Sequence, residues 1–458
     1  MMELKNKRVL VVGLGKSGLS AALFLRERGA QVTVSDTRSA TALAKEIPAL
    51  LEAGIMVESG GHGLLTFRRQ DLIVVSPGVP MDTPEVKQAK AFGLPIIGEL
   101  ELASRFLQGQ VVAITGSNGK TTTTTLVGEI FQRAGLPTLV GGNIGLPVID
   151  LVGASTAETT SVLEVSSFQL ETVEEFHPKI AVVLNITPDH LDRHGSFEAY
   201  AAAKARIMER QGPGDFLVLN GEDKATQMVA GKAALQAGGG PQVFWFSGRR
   251  PIKQGAFVHG ESVLYLAKEG GKPEPVMPVS EIPLKGAHNV ENVLAAVCVA
   301  RLAGVAAETI REAVGSFKAV EHRLELVGTV KGVEYYNDSK ATNVDATMKA
   351  VASFAGGIHL ILGGKDKDSD YTQLAALLRE RVKAVYTIGS AAEKIERELR
   401  GVVKMVAAGT LDGAVNKAAE AAEAGDVVLL APACSSFDQF ENYEHRGRVF
   451  RELVTALQ

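Results

Sequence analysis

The stretch Thr115-Gly-Ser-Asn-Gly-Lys-Thr-Thr122 determines how the middle of the chain is expected to fold. It directly follows the strand-like residues 110–114 and precedes a segment whose apolar residues recur at helical spacing as far as Phe131. In such a strand, turn and helix, glycine amides and the helix N-terminus face an anion, a lysine adds a point charge, and a threonine hydroxyl can bind magnesium. Lys120 and Thr121 hold these two positions. The stretch therefore predicts a loop that binds a triphosphate.

The spacing of this loop differs from the common phosphate-loop pattern, which has a glycine where this chain has Ile114. A Gly-Lys-Thr turn that holds no ligand is the alternative, but the flanking strand and helix favour a phosphate site. The predicted nucleotide contacts are Thr115, Gly116, Ser117, Asn118, Gly119, Lys120, Thr121 and Thr122.

Outward from the loop, strand-like and helical segments alternate and divide the 458 residues into three predicted α/β domains. Residues 1–98 are expected to form a Rossmann-like domain. Residues 99–319 are expected to form a P-loop-type ATPase domain with a mixed sheet, in which residues 242–246 and 262–266 form hairpins. Residues 320–458 are expected to form a second Rossmann-like domain.

The composition excludes several classes of function. A net charge of -4 provides no basic surface for nucleic acid or for an anionic membrane, and 5% aromatic residues offer few platforms for base stacking. No apolar run reaches the roughly 18 residues of a membrane span. Cys298 and Cys434 are too far apart in sequence to suggest a disulfide framework or a metal site, which favours a reducing compartment. The expected ligands are small molecules.

A second glycine-rich motif lies near the N-terminus. Gly13-Leu-Gly-Lys-Ser-Gly18 follows a strand-like run, and Asp36 lies about 20 residues further on, at the end of the next strand. Taken alone, this arrangement is typical of dinucleotide binding and favours a nicotinamide cofactor.

Other polar side chains follow strand ends or begin helices. Glu164 and His190 come at the ends of two apolar strands, where ligands of open α/β sheets bind. Asn289 and Asn292 lie one turn apart at the start of a predicted helix, where they can reach a nucleotide or cap the helix. Arg323, at the boundary of the third domain, is a candidate phosphate ligand, and an interdomain salt bridge is its alternative role.

The pattern as a whole resembles the Mur ligase family. The resemblance rests on the phosphate loop behind a small α/β domain, on Asn185-Ile-Thr-Pro-Asp-His190 and on Asn337-Asp-Ser-Lys-Ala-Thr-Asn343. The last stretch resembles the member that adds D-glutamate, and the Asp-Asn-Pro-Arg motif of the diaminopimelate-adding member is absent. Motif matches extend from Gly13 to Tyr443, so the resemblance covers almost the whole chain.

The resemblance implies a cytoplasmic, monomeric enzyme that uses ATP to join D-glutamate to UDP-N-acetylmuramoyl-L-alanine in peptidoglycan precursor synthesis. ATP would phosphorylate the alanine carboxylate, and the amine of D-glutamate would attack the acyl phosphate. Two Mg²⁺ ions are implied, one at Thr121 and Glu164, the other at His190 and a carbamylated Lys204. Without the resemblance, Lys204 has the ordinary interpretation of a solvated or ion-paired helix residue.

The resemblance also implies binding residues for each substrate. The expected contacts to the UDP-linked sugar are Ser17, Asp36, Thr37, Arg38, Ser76, Asn143, Ser166 and Gln169. Beyond the phosphate loop, ATP is expected at Asn292, Arg323 and Asp338. The expected contacts to D-glutamate are Thr342, Lys367, Ser436, Phe437 and Tyr443.

Three other functions remain open. A ligase like folylpolyglutamate synthase would share the phosphate loop but should lack a UDP-binding N-terminal domain. A nicotinamide oxidoreductase would use the first domain, and a nucleotide-binding regulatory module would bind without turnover. Cys434 has no evident paired base and is not predicted to act as a nucleophile.

Overall fold

Five short apolar strands with helices between them form the first unit of the computed structural model, which describes residues 2–236, 238–318 and 320–457. The strands are Arg8–Val12 (β1), Gln31–Asp36 (β2), Met56–Ser59 (β3), Leu72–Val75 (β4) and Ile96–Gly98 (β5). The helices are Lys16–Glu27 (α1), Ile47–Glu52 (α2), Leu64–Arg68 (α3) and Pro84–Ala91 (α4). All strands are parallel, in the order β3-β2-β1-β4-β5. The glycine-rich motif therefore lies at the carboxyl end of the central strand.

The second unit contains the phosphate loop. Its strands are Gln110–Thr115 (β6), Thr138–Gly142 (β7), Thr160–Glu164 (β8), Ile180–Val183 (β9), Phe216–Asn220 (β10), Gln242–Ser247 (β11), Gly255–His259 (β12), Ser262–Leu266 (β13) and Glu274–Pro278 (β14). Its helices are Glu99–Ser104 (α5), Lys120–Arg133 (α6), Val148–Leu151 (α7), Ser167–Leu170 (α8), Leu191–His194 (α9), Phe197–Ala205 (α10), Lys224–Ala234 (α11), Ala287–Leu302 (α12) and Ala307–Ser316 (α13). The strand order is β14-β13-β12-β11-β10-β9-β6-β8-β7.

The predicted mixed sheet is confirmed, but one hairpin assignment is wrong. Residues 242–246 lie in β11, which pairs in parallel with both β10 and β12. The antiparallel edge begins only at the pairing of β12 with β13 and continues to β14. Phe244 and Phe246 are buried and extend the parallel core by one strand. A parallel strand is usually buried on both faces, but in β11 the side chains of Val243 and Trp245 are only partly buried, so the strand alternates as an antiparallel one would.

The third unit is again mostly parallel. Its strands are Glu325–Val330 (β15), Val333–Asn337 (β16), Ile358–Gly363 (β17), Val382–Ile388 (β18), Lys404–Gly409 (β19) and Val427–Leu430 (β20). Its helices are Val344–Ala352 (α14), Ala375–Arg381 (α15), Ala392–Glu398 (α16), Leu411–Ala421 (α17) and Tyr443–Thr455 (α18). The order is β15-β16-β20-β17-β18-β19, and only β15 and β16 pair antiparallel. The predicted class, three α/β units in chain order, is confirmed.

The first two units share one apolar core. Helix α1 packs against α5 and α7, and the ring of Phe24 meets that of Phe106 edge-on at 5.3 Å. The predicted division after residue 98 falls within this packed junction and stays a prediction. Ala319, the predicted end of the second domain, lies outside the described residues. Within the described ranges, no helix has the length and apolarity needed to cross a bilayer.

Gly18 is required by the close approach of α1 to the loop before it. A Cβ at this position would lie 2.0 Å from the carbonyl oxygen of Gly13 and 2.6 Å from Oγ of Ser76, whereas one at Gly15 would meet nothing within 4 Å. We expect Gly18→Ala to lower the free energy of unfolding of the first unit by about 2 kcal/mol, because backbone must move. Gly15→Ala is the matched control, and urea unfolding measures both. Equal stabilities of the two variants would contradict this packing.

Glu99, the first residue of α5, is a buried carboxyl at the same junction. Its Oε1 accepts from the amide of Ile149 at 2.7 Å, and within the described residues its Oε2 has no hydrogen-bond partner. Burial raises its pKa from 4.5 to about 7. The folded state therefore holds the proton more tightly than the unfolded state. Stability from this group is fully present below pH 4.5 and is lost as pH rises towards 7.

Glu99→Gln should remove this pH dependence, because the amide is neutral and keeps the acceptor for Ile149. At pH 8 the variant should be more stable than the parent by up to about 3 kcal/mol, with little difference at pH 4.5. Thermal unfolding from pH 4.5 to 8 measures the effect. Glu52→Gln, at an exposed position of α2, is the control. Parallel profiles for parent and Glu99→Gln would disprove the burial argument.

Candidate active site

Two hydrogen bonds between Asn185 and Asn118 fix the backbone of the phosphate loop. Asn185, just beyond β9, accepts from the amide of Asn118 at 2.8 Å and donates to the carbonyl of Asn118 at 2.9 Å. Gly119 has a φ of +88° and its Cα hydrogen faces Asn292, whose Oδ1 would lie 2.2 Å from a Cβ there. A side chain at this position is therefore excluded. The backbone shape of the loop is therefore set by its contacts with Asn185 and Asn292.

Lys120 is half-buried and bends back onto its own loop. Its Nζ donates to the carbonyls of Gly116 at 2.9 Å and Ser117 at 3.0 Å. Burial lowers the pKa of Lys120, while Glu164 opposes this shift. The side chains of Thr115 and Thr122 are buried, and Ser117 donates from Oγ to the carbonyl of Thr187 at 2.9 Å. Carbonyls can hold a cation in this way, but a phosphate would neutralise it.

Glu164 ends β8 directly opposite the loop. Its Oε2 accepts from Oγ1 of Thr121 at 2.7 Å, and its Oε1 accepts from Nδ2 of Asn143 at 2.8 Å. Burial alone would raise its pKa, but Lys340 and Lys120 outweigh burial and the pKa lies below the ordinary value. The carboxylate is therefore ionised. A hydroxyl and a carboxylate in contact beside a phosphate loop fit Mg²⁺, which takes few protein ligands and completes its shell with phosphate and water.

Lys340, a lysine of the third unit, lies beside Thr121 and Glu164. Its Nζ donates to Oγ1 of Thr121 and, at 3.2 Å, to the hydroxyl of Tyr443. Burial lowers the pKa of Lys340 to about 8. This residue was missed at the sequence level, although it lies inside the quoted stretch from Asn337 to Asn343. The sequence offers a lysine in that motif but does not indicate which domain it faces.

His190 lies at a bend after β9, with a φ of 53° at the start of α9. Burial lowers the pKa of the imidazole, so the ring is neutral, the form that binds a metal. Its neighbour Asp189 accepts from Nδ2 of Asn343 at 2.9 Å and from Nζ of Lys367 at 3.3 Å. Third-unit side chains therefore reach the His190 region as well as the phosphate loop.

Lys204, on α10, is only 1% exposed, so its interpretation as a solvated lysine is wrong. Its Nζ donates to the carbonyl of Gly116 at 2.8 Å and lies 4.6 Å from the ring centre of Tyr200. Burial, and after it the charge of Lys120, lowers the pKa well below the usual value. This environment favours the neutral amine. Tyr200 in turn hydrogen-bonds Oγ of Ser117 at 3.0 Å, which joins α10 to the phosphate loop.

Within the described residues, no cluster of three or more His, Cys, Asp and Glu side chains is placed to hold a metal ion. The two candidate metal sites have a different composition. One pairs Thr121 with Glu164, and the other places His190 and Lys204 along the same cavity. An unmodified lysine cannot be a metal ligand as an ammonium ion, so the second site depends on the state of Lys204.

Two cavities meet at this centre. The large cavity, about 1030 Å³, lies between the first unit and the phosphate loop, and the inner cavity, about 340 Å³, lies beyond it. The residues predicted for the UDP-linked sugar that line the large cavity are Ser17, Asp36, Thr37, Arg38, Ser76, Asn143 and Gln169. Ser166 lines the inner cavity instead, together with Thr342, Lys367, Ser436, Phe437 and Tyr443, and with Lys120, His190 and Lys204.

A narrow cleft on the other side of the loop collects the remaining predicted nucleotide residues. It measures about 20 Å³ and is lined by Asn118, Gly119, Asn292, Arg323 and Asp338, together with His288 and Phe246. Burial raises the pKa of Asp338 to about 6, and Nη1 of Arg323 lies 3.8 Å from Oδ1 of this carboxyl.

Two alternative roles suggested by the sequence are wrong, namely an interdomain salt bridge for Arg323 and helix capping by Asn289 or Asn292. The partner of Arg323 lies in its own unit, so the ion pair observed does not join two units. Helix α12 begins after Gly286, which has no side-chain cap, and Asn289 donates instead to the carbonyl of Lys285 at 2.7 Å.

Comparison with known proteins agrees with this arrangement. Residues 7–98 match the MurD-like N-terminal domain of Mur ligases, residues 114–300 the Mur ligase middle domain, and residues 322–434 the glutamate ligase domain of Mur ligases. The chain belongs to the Mur ligase family. The family prediction made from the sequence is therefore confirmed.

Close relatives extend over the whole chain. One from Acidobacterium capsulatum is 69% identical, covering 99% of this chain and 97% of that protein. One from Koribacter versatilis is 60% identical, covering 100% and 99%. Both are named UDP-N-acetylmuramoylalanine–D-glutamate ligase.

Solved structures share the fold at lower identity. The UDP-N-acetylmuramate-alanine ligase of Thermotoga maritima has a TM-score of 0.61 at 19% identity, covering 99% of this chain and 100% of that one. The type C pseudomurein peptide ligase of Methanothermus fervidus has a TM-score of 0.60 at 21% identity, with the same coverage. At these identities the likeness shows the three-unit fold alone.

The structure brings the predicted residues together around one centre and adds several that sequence reasoning missed. Besides Lys340, these are Asn185, Tyr200 and Asp345. Asp345, on α14, accepts from Nδ2 of Asn118 at 2.6 Å and from Oγ1 of Thr187 at 3.2 Å. Asp345 follows the Asn337–Asn343 stretch by two residues, so its position near a motif was the available signal. Its partner across the domains could not be read from the sequence.

Proposed function

We propose that this chain is an ATP-dependent ligase that joins D-glutamate to the alanine carboxylate of UDP-N-acetylmuramoyl-L-alanine. One observation carries the proposal. The phosphate-loop lysine, Lys120, lines the inner cavity beside Lys367 and Thr342, while the large cavity adjoins the same loop at Thr121. Three substrates can therefore meet at one point. The names of the relatives that are 69% and 60% identical specify the amine and the acceptor.

In the first step, a carboxylate oxygen of the alanine bonds to the γ-phosphorus of ATP, and the bond to the bridging oxygen of ADP breaks. Lys120 lies where it can neutralise the phosphate oxygens once it leaves its loop carbonyls. Thr121 and Glu164 would hold Mg²⁺, which supplies charge neutralisation to the transferring phosphoryl group. The product is an acyl phosphate.

In the second step, the amine nitrogen of D-glutamate bonds to the acyl carbon and inorganic phosphate leaves. The nitrogen loses its extra proton and the amide remains. Lys367 and the hydroxyls of Thr342 and Ser436 face the inner cavity and suit a dicarboxylate. Closure of the three units around this cavity keeps water from the acyl phosphate.

Phosphate release with different amines tests this function. With ATP, Mg²⁺ and UDP-N-acetylmuramoyl-L-alanine, the full chain should release phosphate with D-glutamate and not with L-glutamate or diaminopimelate. Lys120→Met should abolish release, because the phosphate loses its buried counter-charge. Release with a different amine would keep the ligase class and change the specificity. No release with any amine would refute the proposal, and a change in nicotinamide absorbance would favour an oxidoreductase.

We also propose that Lys204 is carbamylated. A neutral amine attacks the carbon of CO₂ and loses a proton, and the environment of Lys204 favours that neutral form. The carbamate oxygens would join His190 in holding a second Mg²⁺. Protein equilibrated with ¹³C-bicarbonate should show a carbamate resonance by NMR that Lys204→Ala lacks and Lys365→Ala keeps. Absence of the resonance from the parent protein would exclude the modification.

Lys340 is proposed to act on the transferring phosphoryl group from the third unit. It reaches Thr121, so an anion at the loop would lie beside it. We expect Lys340→Met to lower kcat by roughly 100-fold and to change the affinity for ATP far less, because the charge is needed most in the transition state. Lys340→Arg should recover part of the loss, and Lys404→Met, at an exposed site, should behave as the parent. A loss confined to ATP affinity would contradict this role.

The proposed reaction takes place in the cytoplasm, where UDP-linked sugars, ATP and reduced cysteines coexist. Cys298 and Cys434 are both buried free thiols, and burial raises the pKa of each to about 12, so neither is a reactive thiolate. We propose that the enzyme is a monomer, the state implied by the resemblance to the Mur ligases. Light scattering of the full chain tests the oligomeric state. A dimer whose dissociation abolishes turnover would overturn the proposal of a monomer.

A further inference from the structure

The large cavity has few cations that are free to meet an anionic ligand. Its positively charged lining residues are Lys16, Arg38 and Lys340. Arg38 is bound to the carboxylate of Asp36 by Nη2 at 2.9 Å and by Nε at 3.1 Å. Lys340 is held by Thr121 and Tyr443. Arg38 is exposed but paired with Asp36, and Lys340 is only partly exposed. In the described part of the chain, Lys16 is therefore the one of these three that is both exposed and without a carboxylate partner.

Lys16 lies where the first unit presents its amides to the cavity. It is the first residue of α1, and the residue before it, Gly15, provides no side-chain cap. Side chains at the start of a helix lean towards its N-terminus, so the ammonium group and the free amides face the same space. Both features favour an anion there.

The ammonium group of Lys16 also reaches across to the second unit. Its Nζ donates to the carbonyl of Gly145 at 2.5 Å. Gly145 belongs to the loop that carries Asn143, the partner of Glu164. Lys16 therefore spans the cavity wall between the glycine-rich motif and the phosphate-loop side.

The charge balance of the cavity makes this lysine important. The acidic lining residues are Asp36, Glu85 and Glu444, which equal the three cations in number. Without Lys16 the lining would have a net negative charge. A diphosphate would then enter against repulsion, because charges that line a cavity act over the whole of it.

We propose that Lys16 is a specificity-determining contact for the diphosphate of the UDP-linked substrate. In the bound state its Nζ donates to a diphosphate oxygen beside the α1 amides. This proposal rests on the proposed function, because the diphosphate belongs to the substrate assigned there. In the alternative role, Lys16 only joins the first unit to Gly145 by a hydrogen bond and does not contact the substrate.

Ligands of decreasing length distinguish a direct contact between Lys16 and the diphosphate from a purely structural bond between Lys16 and Gly145. The full-length protein is titrated with UDP, UMP and uridine, in the parent and in Lys16→Met, Lys16→Arg and Lys90→Met. Lys90 is exposed on α4 and does not line the cavity. Lys16→Met should weaken UDP binding by roughly tenfold, as expected for loss of one charged hydrogen bond, and leave uridine unchanged. Lys16→Arg should retain most of the UDP affinity, and Lys90→Met should match the parent.

Two results would overturn the proposal. An equal loss for UDP and uridine would show that Lys16 only orders the cavity wall, and an unchanged UDP affinity would show that it has no role. A salt titration gives a second readout, since the UDP affinity of Lys16→Met should fall less with ionic strength than that of the parent. If the parent turns over the UDP-linked substrate while Lys16→Met gives either overturning result, only this inference fails. If the parent shows no ligase turnover, the proposed function fails.

Discussion

The rest of the structure depends on an unbalanced cluster of buried charge at the phosphate loop. Lys120, Lys204 and Lys340 surround the buried carboxylate of Glu164, and Asp189 is a second acidic neighbour of Lys120 and Lys204. Lys120 and Lys204 also donate to backbone carbonyls. Charge is costly to keep in this poorly hydrated site, and burial lowers the pKa of each of the three lysines. A polyphosphate would supply the missing negative charge. The loop, the strand ends and the third unit are thus arranged for an anion.

Contacts between the second and third units also converge on the phosphate loop. Asp345 and Asn343 of the third unit bond to Asn118 and Asp189 of the second, and the narrow cleft between them measures only about 20 Å³. Lys340 of the third unit likewise donates to Thr121 of the phosphate loop. A phosphate bound at the loop would therefore lie beside residues of both units.

The sequence predicted the three α/β units and most lining residues, because glycine-rich turns and buried parallel strands have strong local signals. It did not predict which side chains meet across units. Lys340 and Asp345 lie in or beside a recognised stretch, yet their partners in the phosphate loop, Thr121 and Asn118, are more than 200 residues away in the chain. Lys204 was open to a solvated interpretation because its alanine-rich helix carries no sign of burial. The parallel pairing of β11 was missed for a different reason, since its neighbours β10 and β12 are adjacent in sequence and a short alternating run does not show the direction of pairing.

In the first unit, contacts around the glycine-rich motif restrict which ligand the motif can bind. Its glycine pattern and Asp36 match a dinucleotide site, in which the acidic residue binds ribose hydroxyls. Here both oxygens of Asp36 are already used, one by the amide and Nε of Arg38, the other by the amide of Leu14 and Nη2 of Arg38. A carboxylate accepts about four hydrogen bonds, so none is left for a ribose unless Arg38 leaves. The carboxylate instead shapes the turn and holds the guanidinium at the cavity rim, which argues against a nicotinamide cofactor and leaves the amides of α1 for a diphosphate.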